Sequence, residues 1–313
     1  MPLHTIGISL GGSFVQGRPA IQEMKANARR IEQLGFDSIW SGDHIIMHNP
    51  IMDVMTVLAT FAAITERIRI GTAVYLLPLR HPVAIAKQVA ALDLLSEGRL
   101  TFGVGVGGEI QREFEAVGVP LRERGRRTDE ALEILTRVLS QDNVTFVGQH
   151  YQIQDVTLAP RPQQHPYPPI WVGGRSEAAL RRTVRFGTCW LGYLVSSSRL
   201  QQAMQQMQEM APAYGRNPAD LHGGMLLFTT IAKDFETAKQ MAIANLSRRY
   251  NQPFDTLVER YCALGTPQQC LEKIQAFLDA GMSHLIFSFT CPAEQVVEQI
   301  EQCATEILPQ LRQ

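Results

Sequence analysis

Short β-branched runs alternate with helix-length segments eight times along this chain, and that alternation restricts its fold more than any single residue does. Strands are expected at 5–10, 37–40, 67–76, 100–106, 170–172, 188–193, 224–231 and 284–289. Helices are expected over 19–34, 53–65, 83–95, about 128–139, 177–186, 200–214, 235–244, 266–280 and 293–311. In the first helix Met24, Ala28, Ile31 and Leu34 share one face, and Gly35 suits its C-terminal stop. In the third strand Ile68, Ile70, Thr72 and Val74 alternate. Repeated strand–helix units imply a parallel sheet with right-handed crossovers. Eight of them in 313 residues fit a closed (β/α)8 TIM barrel of the α/β class better than an open sheet. The pattern breaks once, at about 143–169. There two short strands (144–147 and 151–156) flank Gly148-Gln149, and Pro162, Pro166, Pro168 and Pro169 follow. A hairpin and Pro-rich insertion after strand four is expected. No linker divides the chain, so 1–313 is expected to form a single domain.

Composition removes several functions. Lys and Arg total 29 against 30 Asp and Glu, a net charge of −1, so the basic excess of a nucleic-acid protein is missing. The longest apolar stretch, 54–64, is too short for a bilayer span of ~20 residues. The start, MPLHTIGISLGG, lacks the basic segment and cleavage site of a signal peptide. The five cysteines are odd in number and contain no CxxC pair, so neither a disulfide framework nor a structural zinc is expected. The expectation is a soluble cytoplasmic protein without a metal.

In such barrels chemistry sits where strands end. After strand two come Asp43 and His44, a carboxylate and an imidazole able to bind polar atoms and move protons near neutral pH. A helix cap with a surface histidine accounts for the same letters. His81-Pro82 reads as a helix start. Strand four runs into Gly103, Gly105, Gly107 and Gly108, followed by Glu109. The letters match a dinucleotide fingerprint, but that needs the first turn of an open sheet. What remains is a backbone that must approach something closely, a planar or anionic group being the expectation. Strand five ends in Gly173-Gly174-Arg175-Ser176 before a helix, where free N–H groups, the helix dipole and a guanidinium favour a phosphate. An ordinary serine cap is the competing explanation. The run 122–127 (RERGRR) reads as a solvated helix entry with internal ion pairs. Met204, Met207 and Met210 read as helix packing.

Four motifs together resemble the bacterial luciferase-like family of flavin- and deazaflavin-dependent oxidoreductases. They are 35–44 (GFDSIWSGDH), 69–74 with 79–82 (RIGTAV and LRHP), 98–109 (GRLTFGVGVGGE) with Glu113-Phe114, and 169–174 (PIWVGG). Their order and spacing hold over most of the chain. The resemblance implies a barrel that binds a flavin-like ring at the strand C-termini, with a non-proline cis peptide at Ala73-Val74 supporting it. Asp43 matches the position that holds the deazaflavin ring, and His44 the active-site histidine. Gly107 and Gly108 match the loop passing the cofactor side chain, and Gly173, Gly174, Arg175 and Ser176 the phosphate turn. Glu109 stands where deazaflavin enzymes place an acid.

The resemblance also sets the cofactor choice. Coenzyme F420, a deazaflavin, is preferred because GVGGE, Glu113-Phe114 and 124–127 (RGRR) look like that branch; FMN is the alternative. With F420 the implied reaction is hydride transfer to or from a small, apolar organic substrate, His44 and Glu109 serving as acid–base groups. With FMN it is monooxygenation with O2 and a flavin reductase partner. A non-catalytic flavin-binding protein is a further alternative. A homodimer is the family expectation. The substrate pocket is expected from 11–17, 45–50, 190–193 and 248–254.

Overall fold

The computed structural model describes residues 5–11, 14–15 and 18–312. Eight parallel strands form the barrel: β1 (Thr5–Ser9), β2 (Ser38–Ser41), β3 (Arg69–Thr72), β4 (Leu100–Gly105), β5 (Ile170–Gly173), β6 (Cys189–Tyr193), β7 (His222–Ile231) and β8 (Met282–Phe289). Each pairs with its chain neighbour, and the Thr5↔His284 register of β1 on β8 closes the ring. The closed (β/α)8 barrel is therefore the observed fold, and the dinucleotide fingerprint has no open sheet to sit in.

Around it pack α1 (Ile21–Gln33), α2 (Val54–Ile64), α3 (Pro82–Leu95), α4 (Arg124–Ser140), α5 (Glu177–Phe186), α6 (Ser197–Met210), α7 (Phe235–Tyr250), α8 (Pro267–Asp279) and α9 (Val296–Gln302). The helices start where their sequence offers a cap. Asp53 accepts the Thr56 N–H at 2.9 Å, Pro82 opens α3, and Thr266 and Gln269 form a capping box on α8. Their apolar faces pack on the outward residues of the strands: Met24, Ala28 and Ile31 of α1 join Ile6, Ile8 and Ile39 in one core. Each such aliphatic side chain contributes about 1.5–3 kcal/mol by leaving water. Met207 is buried and Met204 and Met210 pack beside it, as their spacing predicts.

Inside the barrel, Trp40 and Trp171 stack with centroids 4.6 Å apart. Glycines make room for them: a Cβ on Gly71 would lie 2.3 Å from the Trp40 ring. The third strand is not continuous over 67–76. It breaks at a cis peptide between Ala73 and Val74, and Tyr75–Leu76 then pairs separately with β4. α4 begins at Arg124 rather than 128, its entry held by the Arg127–Glu123 pair at 3.0 Å. β7 is ten residues long, and its last three pair with Ala263–Gly265. α7, longer than expected, lies against that extension through Ala238, Ala242 and Leu246.

The insertion lies on the outer wall. Its hairpin pairs Val144–Val147 with Gln152–Val156. The Glu130 carboxylate of α4 accepts the N–H groups of Gln149, His150 and Tyr151 at 2.9, 2.9 and 3.1 Å. The Pro-rich stretch then turns back under β4, where Gln164 is bound by the buried Asp93. An open groove of about 600 Å³ between α3 and this hairpin is lined by Val83, Ala84, Ile153 and Leu158. All five cysteines are free and buried. No helix among the described residues is long and apolar enough to cross a membrane.

Candidate active site at the strand C-termini

β2 delivers Asp43 and His44 to the barrel mouth, and the two take different paths. The Asp43 carboxylate is fully buried. It forms a two-pronged pair with the Arg80 guanidinium and accepts the Leu76 N–H at 3.0 Å. Both its oxygens are engaged inside the protein. The resemblance places Asp43 beside the ring; within the chain its side chain is turned to Arg80 and Leu76. It straps the end of β2 to the chain just past the cis peptide.

His44 stays within reach of solvent, its side chain 18% exposed. Its Nδ1 meets both oxygens of Glu113 at 3.2 Å, and Glu113 also accepts the Ile45 N–H at 3.2 Å. Glu113 is 0% exposed and sits on the short helix Gln111–Ala116. Burial lowers the His44 pKa, but the Glu113 hydrogen bond and charge, with the charges of Glu109 and Asp43, outweigh it. The net shift is upward from the ordinary value. A carboxylate on Nδ1 fixes the ring orientation and leaves Nε2 as the proton-exchanging atom.

Glycines within β4 and at the end of β5 lie against protein atoms. A Cβ on Gly103 would lie 2.0 Å from the Thr72 carbonyl, and one on Gly105 2.5 Å from Val74 Cγ2. A Cβ on Gly173 would lie 2.9 Å from Val74 Cγ1. Within the chain, the close approach at Gly103 is to the Thr72 carbonyl and that at Gly105 to the Val74 side chain. Ala73 and Val74, both partly exposed, present that bulge at the mouth. Gly107 and Gly108 take φ of 62° and 118°, which glycine alone adopts readily. A Cβ on Gly108 would lie 2.9 Å from Arg124 Nε, a buried nitrogen with no partner.

The turn after β5 is open to a ligand. Gly173 is buried, Gly174 half-buried, and Arg175 and Ser176 exposed. Ser176 occupies the N-cap of α5, yet its hydroxyl caps nothing. The ordinary serine cap is therefore absent, and the first N–H groups of α5 keep no side-chain acceptor. The turn is held from below by Trp190 Nε1, which donates to the Gly174 carbonyl at 2.7 Å.

Glu109 is exposed and lies across the mouth from β4 to β6. Tyr193 donates its hydroxyl to Glu109 Oε1 at 2.7 Å. Burial, then the Glu109 charge and hydrogen bond, push the Tyr193 pKa far up, so Tyr193 stays protonated. Of the expected pocket segments, 45–50 meets 248–254 where Asn49 Nδ2 donates to the Arg248 carbonyl at 3.5 Å. Residues 12, 13, 16 and 17 of the first segment lie outside the described residues.

The sequence matches the family model described as luciferase-like monooxygenase over residues 4–284. The chain belongs to this family. Among curated relatives of this luciferase-like oxidoreductase is the F420-dependent glucose-6-phosphate dehydrogenase of Amycolatopsis mediterranei. It is 26% identical over 319 residues, which covers 91% of this chain and 93% of the relative. The fold is shared with an F420-dependent secondary alcohol dehydrogenase solved with an F420–acetone adduct, at a TM-score of 0.87, 19% identity and full coverage of both chains. It is also shared with the FMN-bound oxygenating constituent of 3,6-diketocamphane monooxygenase from Pseudomonas putida. There the TM-score is 0.79 and the identity 18%, with 99% and 98% coverage.

For the luciferase-like chain, the structure gathers His44, the Ala73-Val74 bulge, Gly107, Gly108 and Glu109 at one mouth, with the Gly173–Ser176 turn on its rim. Two residues escaped sequence reasoning. Glu113 appeared only as part of a motif, because its partner is 69 positions away and no spacing links them. Arg80 lay in the LRHP motif, with no local sign that it pairs with Asp43.

Proposed function

We propose that this chain is an F420-dependent oxidoreductase that exchanges a hydride between the deazaflavin and a small organic substrate at the barrel mouth. The observation that carries the reading is the His44–Glu113 pair, a histidine held by a buried carboxylate and opening onto the mouth. The F420-dependent relative, similar along nearly all of the chain, supports the same choice.

The residues present fit such a cofactor. The Val74 bulge offers an apolar backing for a planar ring. The free turn of Ser176 and the start of α5 offer N–H groups to a phosphate. The Gly107-Gly108 backbone, with the unpartnered Arg124 Nε beneath it, suits the polar chain between ring and phosphate. When bound, the deazaflavin supplies two-electron hydride chemistry. His44 Nε2 delivers a proton to the substrate oxygen when the substrate is reduced and removes it when the substrate is oxidised. Glu113 keeps the imidazole charged to higher pH. Asp43 and Arg80 hold the loop on which His44 stands, and Glu109 with Tyr193 borders the substrate opposite.

The test is a side-by-side titration of the cofactor-free protein with F420 and FMN, followed by cofactor fluorescence. F420 is expected to bind tightly, and Ser176→Asp to weaken it by placing a charge against the phosphate. Tight binding of FMN alone would overturn the F420 choice in favour of O2-dependent oxygenation with a reductase partner. Binding without turnover of any alcohol, ketone or imine would leave a flavin-binding protein. Binding of neither would remove the enzyme reading.

A further inference from the structure

The proposed function leaves one cation at the mouth without a task. Arg249 lies in the last turn of α7, partly buried, with its guanidinium over the Phe228 ring at 5.8 Å from the centroid. Among the described residues it has neither an ion pair nor a side-chain hydrogen bond, and none of its nitrogens is sealed from solvent. Burial lowers its pKa from the ordinary arginine value. One helical turn earlier, Asn245 donates Nδ2 to the Cys291 carbonyl at 2.7 Å, while its Oδ1 is buried without a partner. The two side chains are i and i+4 and face the same way. They stand where β7 and β8 end, since Phe228 belongs to β7 and Cys291 follows β8 by two residues.

A guanidinium partly sunk among side chains loses some of its hydration, and an aromatic face returns only part of that. An arginine kept there without a carboxylate is poised for an anion that is not part of the chain. An acceptor oxygen buried without a donor beside it is equally incomplete. Barrels of this class frequently bind anions with the loops after strands seven and eight. The position also communicates with the chemistry. The loop carrying His44 touches the neighbouring residue, Arg248, through Asn49. Tyr250, next in the chain, packs on Phe228 and Phe254 at 6.3 and 5.4 Å between centroids and lies within the field of Glu109.

We infer that Arg249 and Asn245 form the anchor for an acidic head group of the substrate, a carboxylate or a phosphate with a neighbouring hydroxyl for Asn245 Oδ1. The substrate is then an organic anion whose reacting carbon lies toward His44 and whose body lies along Phe228 and Tyr250. This rests on the oxidoreductase reading and replaces the small, apolar substrate expected from the sequence.

The probes are inorganic phosphate and benzoate, titrated calorimetrically into protein already saturated with its cofactor, so that the turn at Ser176 is occupied. One of the two is expected to bind the native chain, and which one binds identifies the head group. Arg249→Gln is expected to weaken it at least about tenfold, in line with a lost charged hydrogen bond. Asn245→Asp should weaken it as much by adding a negative charge. Arg249→Lys, which keeps the charge without the planar fork, should fall between. Cofactor affinity should stay within about twofold of native in all three. The inference is overturned if neither anion binds the native chain, or if Arg249→Gln leaves anion affinity unchanged. It is also overturned if that variant weakens cofactor and anion alike, since the cation would then serve the cofactor. Failure of the underlying reading looks different: neither F420 nor FMN binds. The anion titration then runs on the Ser176→Asp chain, with the same outcomes.

Discussion

Replacing Glu113 by glutamine removes a charge while keeping shape. The amide oxygen of the new side chain would still accept the Ile45 N–H, so the short helix Gln111–Ala116 has no reason to move. The His44 ring, however, would lose the anion lying 3.2 Å from its Nδ1. Burial still opposes the imidazolium, so the His44 pKa must fall from its raised position. The sign follows. In the native chain the protonated ring persists above the ordinary histidine range, so reduction of substrate, which consumes that proton, holds up until the raised pKa is passed. In Glu113→Gln the same decline starts at lower pH. A hydrogen bond to a charged group is worth about 1.5–3 kcal/mol, so turnover near neutrality should drop about 10- to 150-fold. The assay is a pH–rate profile of single-turnover reduction with saturating cofactor, because product release can hide the proton step. A variant profile that overlays the native one after scaling would refute the proton-transfer role of the pair. The pair also contributes stability that is fully present below the ordinary histidine pKa and is lost as pH rises through the raised value.

Three further outcomes are expected. His44→Asn should cost ~10²–10⁴-fold in turnover with cofactor affinity retained, and a loss confined to affinity would contradict the assignment. Asp43→Asn breaks a buried ion pair and should cost about 3–5 kcal/mol in urea unfolding, whereas a surface-like change below about 1 kcal/mol would show that Arg80 finds another partner. Gly103→Ala forces a methyl against the Thr72 carbonyl and should cost at least about 1–3 kcal/mol with weaker cofactor binding; a neutral result would mean the backbone at Thr72 yields easily.

Most of the barrel was legible because strand and helix periods switch cleanly along the chain. Boundaries slipped where tertiary contacts override local signals. The third strand reads as one alternating run, but the peptide turn at Ala73-Val74 resets its pairing and leaves no mark on hydrophobic alternation. Gln111–Ala116 has six residues, too few to display a helical period. The same limit applies to the site. Asp43, His44 and the Ser176 turn could be seen because they follow strands directly. Their partners Arg80 and Glu113 could not, since each is brought close only when the ends of neighbouring strands are set side by side in the barrel. The packing at Gly103 and Gly105 was equally hidden, since no spacing shows that a Cβ at the first would meet the Thr72 carbonyl and one at the second the Val74 side chain.

The five buried thiols have a practical side. Burial pushes Cys291 up to about 11 and Cys262 and Cys270 to about 12, with Cys189 and Cys303 well above their ordinary value. At neutral pH even the most acidic of them is thiolate in about one molecule in ten thousand, and it is shielded besides. The native chain is thus expected to react only slowly with maleimides and methanethiosulfonates, which thiol labelling of the folded protein checks. A single cysteine introduced at Val147, on the hairpin and 74% exposed, would be the sole reactive thiol in the folded protein. Spin labels or dyes could then be attached far from the mouth without first removing any native cysteine.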